Sequence, residues 1–226
     1  MLNYSVDPGL LEPFVPSGTE LDAFDGRTYM SLVGFQFNET RLNTRLGGFG
    51  IPFHRSFEEV NLRFYVRREE KRGVVFIREL VPKFAIAATA RLCYGEKYSC
   101  VPMAHRIQVQ PEKNTVDAEY SWGAGQRRCA IWLQTIGDSF LPADGSLSQF
   151  ITEHYWGYTT QRDGGCVEYE VQHPRWVVRN AGEAGFSGDA AYLYGTQFSK
   201  VLSRPPDSAF LAEGSAVTVF RGAKIQ

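Results

Sequence analysis

The chain of 226 residues lacks the features that stabilise secreted proteins or anchor membrane proteins. Its four cysteines form no CxxC pair and do not have the spacing of zinc ligands. Scattered cysteines in a chain long enough to bury its own core indicate free thiols in a reducing compartment. Residues 1–7 lack the basic start and apolar run of a signal peptide, and no stretch approaches the ~18 apolar residues of a membrane span. These absences predict a cytoplasmic protein that does not enter a membrane.

An excess of charge of either sign is also absent. The chain has 24 Lys and Arg against 25 Asp and Glu, for a formal net charge of -1. This balance argues against a dedicated nucleic-acid binder, which usually has a basic surplus. The basic residues are nevertheless uneven, with 18 Arg and 6 Lys. Because the planar guanidinium pairs with carboxylates and keeps its charge when partly buried, two interpretations stay open: an anion-binding pocket, or structural ion pairs and codon bias.

Familiar catalytic, metal and cofactor motifs are missing as well. The four histidines are far apart and form neither HxH nor HExxH. The glycines at 47, 48 and 50 do not join a strand to a helix, so we interpret them as turn glycines rather than a phosphate-binding loop. No GxSxG nucleophile elbow occurs. We therefore expect no metal and no cofactor.

The residues that are present predict many short strands. No linker, low-complexity tract or repeat divides the sequence, so we expect one domain over residues 1–226. The most informative stretch is residues 57–66, which alternates with the period of two that is typical of a strand. Its even positions are apolar from Val60 to Val66, and the odd positions carry Glu59, Asn61, Arg63 and Tyr65. The alternation predicts a core face and a second face that presents these four residues together.

A hairpin and a few helices complete the expected fold. The charged segment 67–72 leads into an apolar run at 74–77, which indicates a turn followed by a central strand. Helical spacing occurs at 146–153, where a serine can cap, and at 190–202, while 84–91 is ambiguous. Further strands are predicted at 29–37, 105–110, 116–122, 128–134, 166–171, 176–179 and 216–220. The predicted fold class is α+β, predominantly antiparallel β or barrel-like.

Several motifs resemble the YqjF-like family, an uncharacterised bacterial domain of unknown function. They lie at residues 57–66, 72–79, 90–92 with Tyr94 and Tyr98, 153–159, and 168–176. Members of that family usually begin somewhat upstream of the segment that resembles Asn3-Tyr4. The family in turn resembles the acetoacetate decarboxylase superfamily. The resemblance implies a cone-like pseudo-barrel of strands capped by a few helices, with a small-molecule pocket inside.

This sequence differs from the decarboxylases in the motif that carries their catalytic lysine. Those enzymes use a lysine of depressed pKa to form a Schiff base with a ketone. When the glycine of their lysine motif is laid on Gly95, Tyr98 occupies the nucleophile position and Lys97 falls one residue early. A slip of one residue turns a strand side chain to the opposite face. The resemblance therefore implies altered chemistry without the Schiff-base lysine.

We take Glu59 and Tyr98 as candidate catalytic residues, with Glu59 as acid or base and Tyr98 as polariser. The candidate substrate-binding residues are Asn61, Arg63, Tyr65, Arg91, Tyr94, Met103 and His154. Among these, Arg63 or Arg91 would clamp a substrate carboxylate. Structural interpretations stay open for each group: a buried ion-pair network, core tyrosines with satisfied hydroxyls, and a histidine that caps a helix.

Three functions follow from these alternatives. The first is an enzyme acting on a small, carboxylate-bearing molecule in a pocket of the barrel interior. The second is a non-catalytic domain that binds a small-molecule ligand in the same pocket. The third is a protein without a functional pocket that acts through a homo-oligomer or partner surface. Neither nucleic acid nor membrane is expected as a partner.

Overall fold

The structure is a computed structural model that describes residues 1–38, 56–82 and 98–225 in full, and 41–44 and 47–50 as backbone. The strands in these parts are β1 (Leu2–Val6), β2 (Glu20–Leu21), β3 (Ala23–Phe24), β4 (Arg27–Phe37), β5 (Arg41–Thr44), β6 (Gly47–Gly50), β7 (Phe57–Arg68), β8 (Lys71–Val81), β9 (Tyr98–Cys100), β10 (Met103–Gln110), β11 (Thr115–Trp122), β12 (Cys129–Thr135), β13 (Trp156–Thr160), β14 (Cys166–Gln172), β15 (Val178–Ser187), β16 (Ser208–Ala212), β17 (Thr218–Val219) and β18 (Ala223–Ile225). The helices are α1 (Pro8–Leu11), α2 (Leu147–Thr152), α3 (Ala191–Tyr194) and α4 (Thr196–Leu202), with 3-10 turns at Glu12–Phe14, Pro111–Lys113 and Gly125–Arg127.

One large sheet dominates the fold. Its sixteen strands follow the order β10-β11-β12-β15-β16-β1-β4-β7-β8-β13-β14-β17, with β2, β3, β9 and β18 attached beside this path. Neighbouring strands are antiparallel, except that β8 runs parallel to β9 and to β13. The α+β, predominantly antiparallel prediction is therefore confirmed. Strand β1, near the start of the chain, pairs with β16, about 205 residues further on, so the sheet joins segments that are distant in sequence.

The central hairpin of β7 and β8 was predicted from residues 57–77 and is present. A two-residue turn at Glu69 and Glu70 joins the strands, and Glu69 takes a left-handed φ of 55°. The register between the strands shifts next to Leu62 and Arg63, which marks a β-bulge. Both strands run deep in the sheet, so residues on either face of the hairpin can be covered by other elements.

The two faces of β7 are both buried. Val60, Leu62, Phe64 and Val66 are fully buried in the main apolar core, where they meet residues of β11, β12, α1, α3 and α4. The predicted core face is therefore confirmed. The opposite face is covered too, because Tyr65 joins a second apolar cluster that includes residues of α2, β15 and β16. Burial on both sides means that the polar residues of this second face are held away from solvent.

Helix α2 covers part of the second face. Its N-cap is Ser146, whose hydroxyl accepts a hydrogen bond from the Gln149 amide at 3.2 Å, as the sequence predicts. The helix places Phe150 against Tyr65 with ring centroids 5.3 Å apart. The helix predicted over 190–202 is interrupted at Gly195, whose φ of 87° no helix accommodates, and so forms α3 and α4. Among the described residues, no helix combines the length and apolar character needed to cross a membrane.

Several local predictions were wrong. The glycines at 47, 48 and 50 belong to strand β6, which pairs with β5 in a separate two-stranded sheet. Strands β1, β13 and β16 had no recognised signal, and the strand predicted at 176–179 lies further on as β15. Strands β1 and β16 are short and pair with each other across about 205 residues, so pairing outweighs local preference there. The ambiguous segment 84–91 lies outside the described residues.

Candidate functional site

A cluster of buried polar side chains lies where β7, β8 and β9 run side by side. Strand register places Asn61 opposite Glu79, and Glu79 opposite Tyr98. Glu59, Asn61 and Glu79 are each 2% exposed. The Tyr98 hydroxyl donates to Glu59 Oε2 at 3.2 Å, and Asn61 Nδ2 donates to Glu59 Oε1 at 3.2 Å. Each oxygen of the Glu59 carboxylate is therefore held by a different donor.

This arrangement suits proton transfer. A carboxylate and a phenol share one hydrogen bond, away from bulk water, with the carboxylate orientation fixed by an amide. Groups of this kind act as general acids or bases when a ligand atom comes within hydrogen-bond distance. Exclusion of water strengthens the electrostatic interactions of such a group. The structure therefore brings Glu59, Asn61 and Tyr98 together as the sequence predicted, although it does not test their chemistry.

Arg63 follows on the same face, and its charge has no acidic partner among the described residues. The guanidinium is half-buried, and Nη2 donates to the carbonyl oxygen of Ile151 at 3.3 Å. Within the described parts of the chain, no carboxylate lies within ion-pair distance of Arg63, and its buried Nε has no hydrogen-bond partner. By contrast, Arg72 on β8 pairs with Asp22 at 2.7 Å. A half-buried cation without a counter-charge is costly, and a bound anion would relieve that cost.

Tyr65 is held by a row of hydrogen bonds that crosses four strands. Its hydroxyl lies 2.5 Å from Ser31 Oγ on β4. Ser31 Oγ donates to Asn3 Oδ1 at 2.7 Å, and Asn3 Nδ2 donates to Ser208 Oγ at 3.1 Å. Because a serine hydroxyl has only one proton to give, Tyr65 must be the donor to Ser31. The phenol is therefore fixed in direction as well as in position.

His154 packs against the Tyr65 ring just after α2 ends. The two rings are stacked with centroids 4.5 Å apart, and the Phe150 ring meets His154 edge-on at 5.5 Å. Burial lowers the pKa of His154 well below its usual value, and the positive charges of Arg72 and Arg63 lower it further. The imidazole is therefore neutral at neutral pH.

The surroundings of His154 differ from those of a helix cap. The C-cap residue of α2 is Glu153, and Arg63 donates to the Ile151 carbonyl in the last turn. Among the described residues neither ring nitrogen has a hydrogen bond of good geometry, the Ile151 backbone opposes the decrease in the pKa of the ring, and Nε2 lies 3.9 Å from Asp22 Oδ2. His154 therefore contributes mainly through its ring contacts, as a wall of the region around Arg63.

One further predicted site residue can be placed in the described structure, and it lies away from this cluster. Met103 on β10 packs against the main apolar core, which contacts the opposite face of β7. Its placement in the site was therefore wrong, because the packing of β10 cannot be read from a single strand pattern. Arg91 and Tyr94, like Lys97, lie outside the described residues. Glu79 was not among the predicted site residues, although its place on the strand that pairs with Asn61 was the available signal.

A small cavity lies on the core side of the sheet, away from the polar cluster. It measures about 20 Å³ and is lined by residues that include Gly34, Tyr120 and Ile131. This volume is roughly that of a single water molecule. A substrate would not fit there, so the polar cluster remains the better candidate.

Comparison with known proteins identifies the family. The DUF2071 family, described as an uncharacterized conserved protein, matches residues 1–216. The chain belongs to this family. A member of known sequence, the uncharacterized protein YqjF of Bacillus subtilis strain 168, is 30% identical over 184 residues, which is 79% of this chain and 71% of the relative. The resemblance to YqjF-like proteins is thus confirmed.

Solved structures confirm the decarboxylase-like fold. Acetoacetate decarboxylase from Legionella pneumophila aligns over 100% of this chain and 83% of its own, with a TM-score of 0.61 and 13% identity. The enduracididine biosynthesis enzyme MppR, solved with pyruvate, aligns over 99% and 83%, with a TM-score of 0.61 and 12% identity. An acetoacetate decarboxylase-like enzyme from Sphingomonas wittichii RW1 aligns over 96% and 84%, with a TM-score of 0.56 and 13% identity. At these identities the likeness concerns the fold.

Proposed function

We propose that this protein binds a small carboxylate-bearing molecule on the second face of β7 and acts on it through Glu59, without a Schiff-base lysine. The observation that carries the proposal is the half-buried Arg63, which has no acidic partner in the described part of the chain and shares a strand face with the buried Glu59–Tyr98 pair. The ligand class is supported by the structural relative MppR, which was solved with pyruvate. The pairing of β1 with β16 supports a single domain, and we expect it in the cytoplasm.

The proposed ligand is anchored by Arg63. The planar guanidinium group can donate two parallel hydrogen bonds, which a carboxylate can accept. Arg63 leans toward the Tyr65 ring, with its central carbon 5.8 Å from the ring centroid. Tyr65 and His154 then form the wall beside the anchored end. Arg91 remains a predicted second anchor, and Tyr94 remains a predicted wall residue.

The chemistry takes place at the other end of the molecule. Glu59 and Arg63 are four residues apart on one strand face, which separates their Cα atoms by roughly 13 Å. A ligand held at Arg63 therefore presents a group several bonds away to Glu59. Glu59 takes a proton from that group, and the Tyr98 hydroxyl stabilises the negative charge that develops on oxygen. A proton-transfer reaction beside a carbonyl or hydroxyl fits this layout.

Access to the site requires local opening. Glu59 and Asn61 are each 2% exposed, so the ligand cannot reach them from bulk solvent in this state. We therefore expect association to be slower than diffusion, with a rate set by the opening step.

Binding is tested by comparing two arginines on opposite faces of the same hairpin. Arg63→Gln should weaken the binding of small carboxylates about 10- to 100-fold, the usual range for a hydrogen-bonded charge. Arg78→Gln is the matched control. Arg78 is also half-buried without an acidic partner in the described structure, but it contacts Ser99 and lies opposite Leu62 of the core face. Thermal-shift titration with a panel of short carboxylates measures the affinity of each variant. An equal loss of affinity in the two variants would contradict the proposal.

Catalysis is tested at Glu59. A screen of small metabolites should find turnover that Glu59→Gln reduces about 10²- to 10⁴-fold, the usual contribution of a general acid or base. Circular dichroism of the variant controls for folding. Thermal stabilisation by a carboxylate without turnover would favour a non-catalytic binding protein. Borohydride treatment with ketones should give no adduct at Lys97.

A further inference from the structure

The orientation of the Asn61 amide is fixed by its neighbour. Nδ2 donates to Glu59 Oε1 at 3.2 Å. A carboxylate only accepts hydrogen bonds, so the amide nitrogen must face Glu59 and Oδ1 must face elsewhere. The direction of this amide is therefore determined by chemistry, and it presents an acceptor to its remaining surroundings.

That acceptor is buried without a donor. Asn61 is 2% exposed, and within the described chain Oδ1 has no hydrogen-bond partner. The cross-strand neighbour on β4 is Val33, whose side chain has no proton to donate. Buried polar atoms are usually paired, so an acceptor left open in a buried polar cluster points to a partner that arrives from outside.

Asn61 also occupies the middle of the proposed site. It lies two residues from Glu59 and two from Arg63 on the same strand face, about 7 Å from each along the strand. A ligand anchored at Arg63 and reaching Glu59 must pass its side chain. A hydrogen-bond donor on the ligand at that point would satisfy Oδ1.

We infer that Asn61 determines specificity, and that the ligand is a hydroxy- or amino-carboxylate whose donor group lies between its carboxylate and its reacting end. This inference rests on the proposed function of the same site. A ligand without the donor leaves Oδ1 unpaired, and a carbonyl at that point would place two acceptors together. Sites that hydrogen-bond a hydroxyl or amine discriminate strongly against analogues that lack it.

The test compares acids that differ in one group. Calorimetric titration with butyrate, 2-hydroxybutyrate, 3-hydroxybutyrate and 3-aminobutyrate should show at least one donor-bearing acid binding about 10-fold or more tightly than butyrate, the factor typical of one buried hydrogen bond. In Asn61→Leu, which keeps the size of the side chain, that ratio should fall to about 1. Asn61→Ala makes the same comparison if leucine is not accommodated.

Asn3 provides the matched control. It is a fully buried asparagine on a neighbouring strand, but both ends of its amide are already used, by Ser31 and Ser208. Asn3→Leu should leave the preference for the donor-bearing acid unchanged. Butyrate binding that depends on Arg63 but shows no preference in the wild type, or a preference that survives in Asn61→Leu, would overturn the inference and leave the proposed function standing. Failure of all four acids to bind would overturn both.

Discussion

The two faces of β7 are both largely hidden from water but are buried by different chemistry. On the core face, Val60, Leu62, Phe64 and Val66 are all fully buried among apolar neighbours. On the second face, Glu59 and Asn61 are almost as deeply buried, yet each polar atom there needs a specific partner. Apolar burial stabilises the fold by area alone. A strand face that buries unpaired polar atoms lowers the free energy of unfolding. Proteins tolerate such a loss mainly at functional sites.

The core face should give the largest response to truncation. Phe64→Ala removes a fully buried ring, so we expect the free energy of unfolding to fall by about 3–5 kcal/mol. Urea unfolding measures the change. Val219→Ala on β17, where the valine is 46% exposed, is the control and should change it by no more than about 0.5 kcal/mol. Similar losses in both variants would mean that this face is not a packed core.

The second face should respond less, through hydrogen bonds. Ser31→Ala leaves Asn3 Oδ1 without its donor and Tyr65 without its acceptor, which should cost about 1–3 kcal/mol of unfolding free energy. Ser203→Ala is the control, because its hydroxyl bonds to the Ser199 carbonyl at 2.9 Å on the exposed surface. A loss at Ser31 as large as at Phe64 would remove the distinction between the two faces.

The smallest expected effect depends on pH. Burial holds the pKa of His154 below its unfolded value of about 6.5, so the unfolded chain takes up this proton first as the pH falls. Stability is therefore complete above about pH 6.5 and is lost below it, by up to about 1.4 kcal/mol per pH unit. His154→Phe keeps the ring contact with Tyr65 and removes the titration. Urea unfolding at pH 7.5 and 5.5 should show a smaller decrease in the free energy of unfolding for the variant than for the wild type. Equal decreases would show that His154 does not titrate on unfolding.

The local sequence pattern was sufficient to predict those strands and helices that have a clear alternation or a capping residue. The alternation from Glu59 to Val66 predicted which residues share a face, and burial confirms it for the core set. Ser146 correctly marked the start of α2. Strands β1 and β16 were not predicted, because each is five residues long and gains its stability from partners about 25 to 205 residues away. Pairing between segments so far apart produces no recognisable pattern in the neighbouring sequence.

The candidate site was predictable only in part, for a related reason. Glu59, Asn61, Arg63 and Tyr65 were grouped by strand period alone, whereas Tyr98 required the family resemblance. Burial of their face could not be foreseen, because the covering helix α2 lies more than 80 residues further along the chain. The row from Tyr65 to Ser208 joins β7, β4, β1 and β16, so it also depends on distant pairing.

That row has an electrical consequence. Every donor in it points the same way, from the phenol through Ser31 to Asn3 and Ser208, and the asparagine amide cannot reverse its sense without turning over. Turning over any one member would leave its neighbours without a donor or an acceptor, so the row fixes the polarity of the four paired strands at this point. The aligned hydrogen bonds thus give the sheet a local dipole that runs from β7 across to β16 without adding a formal charge.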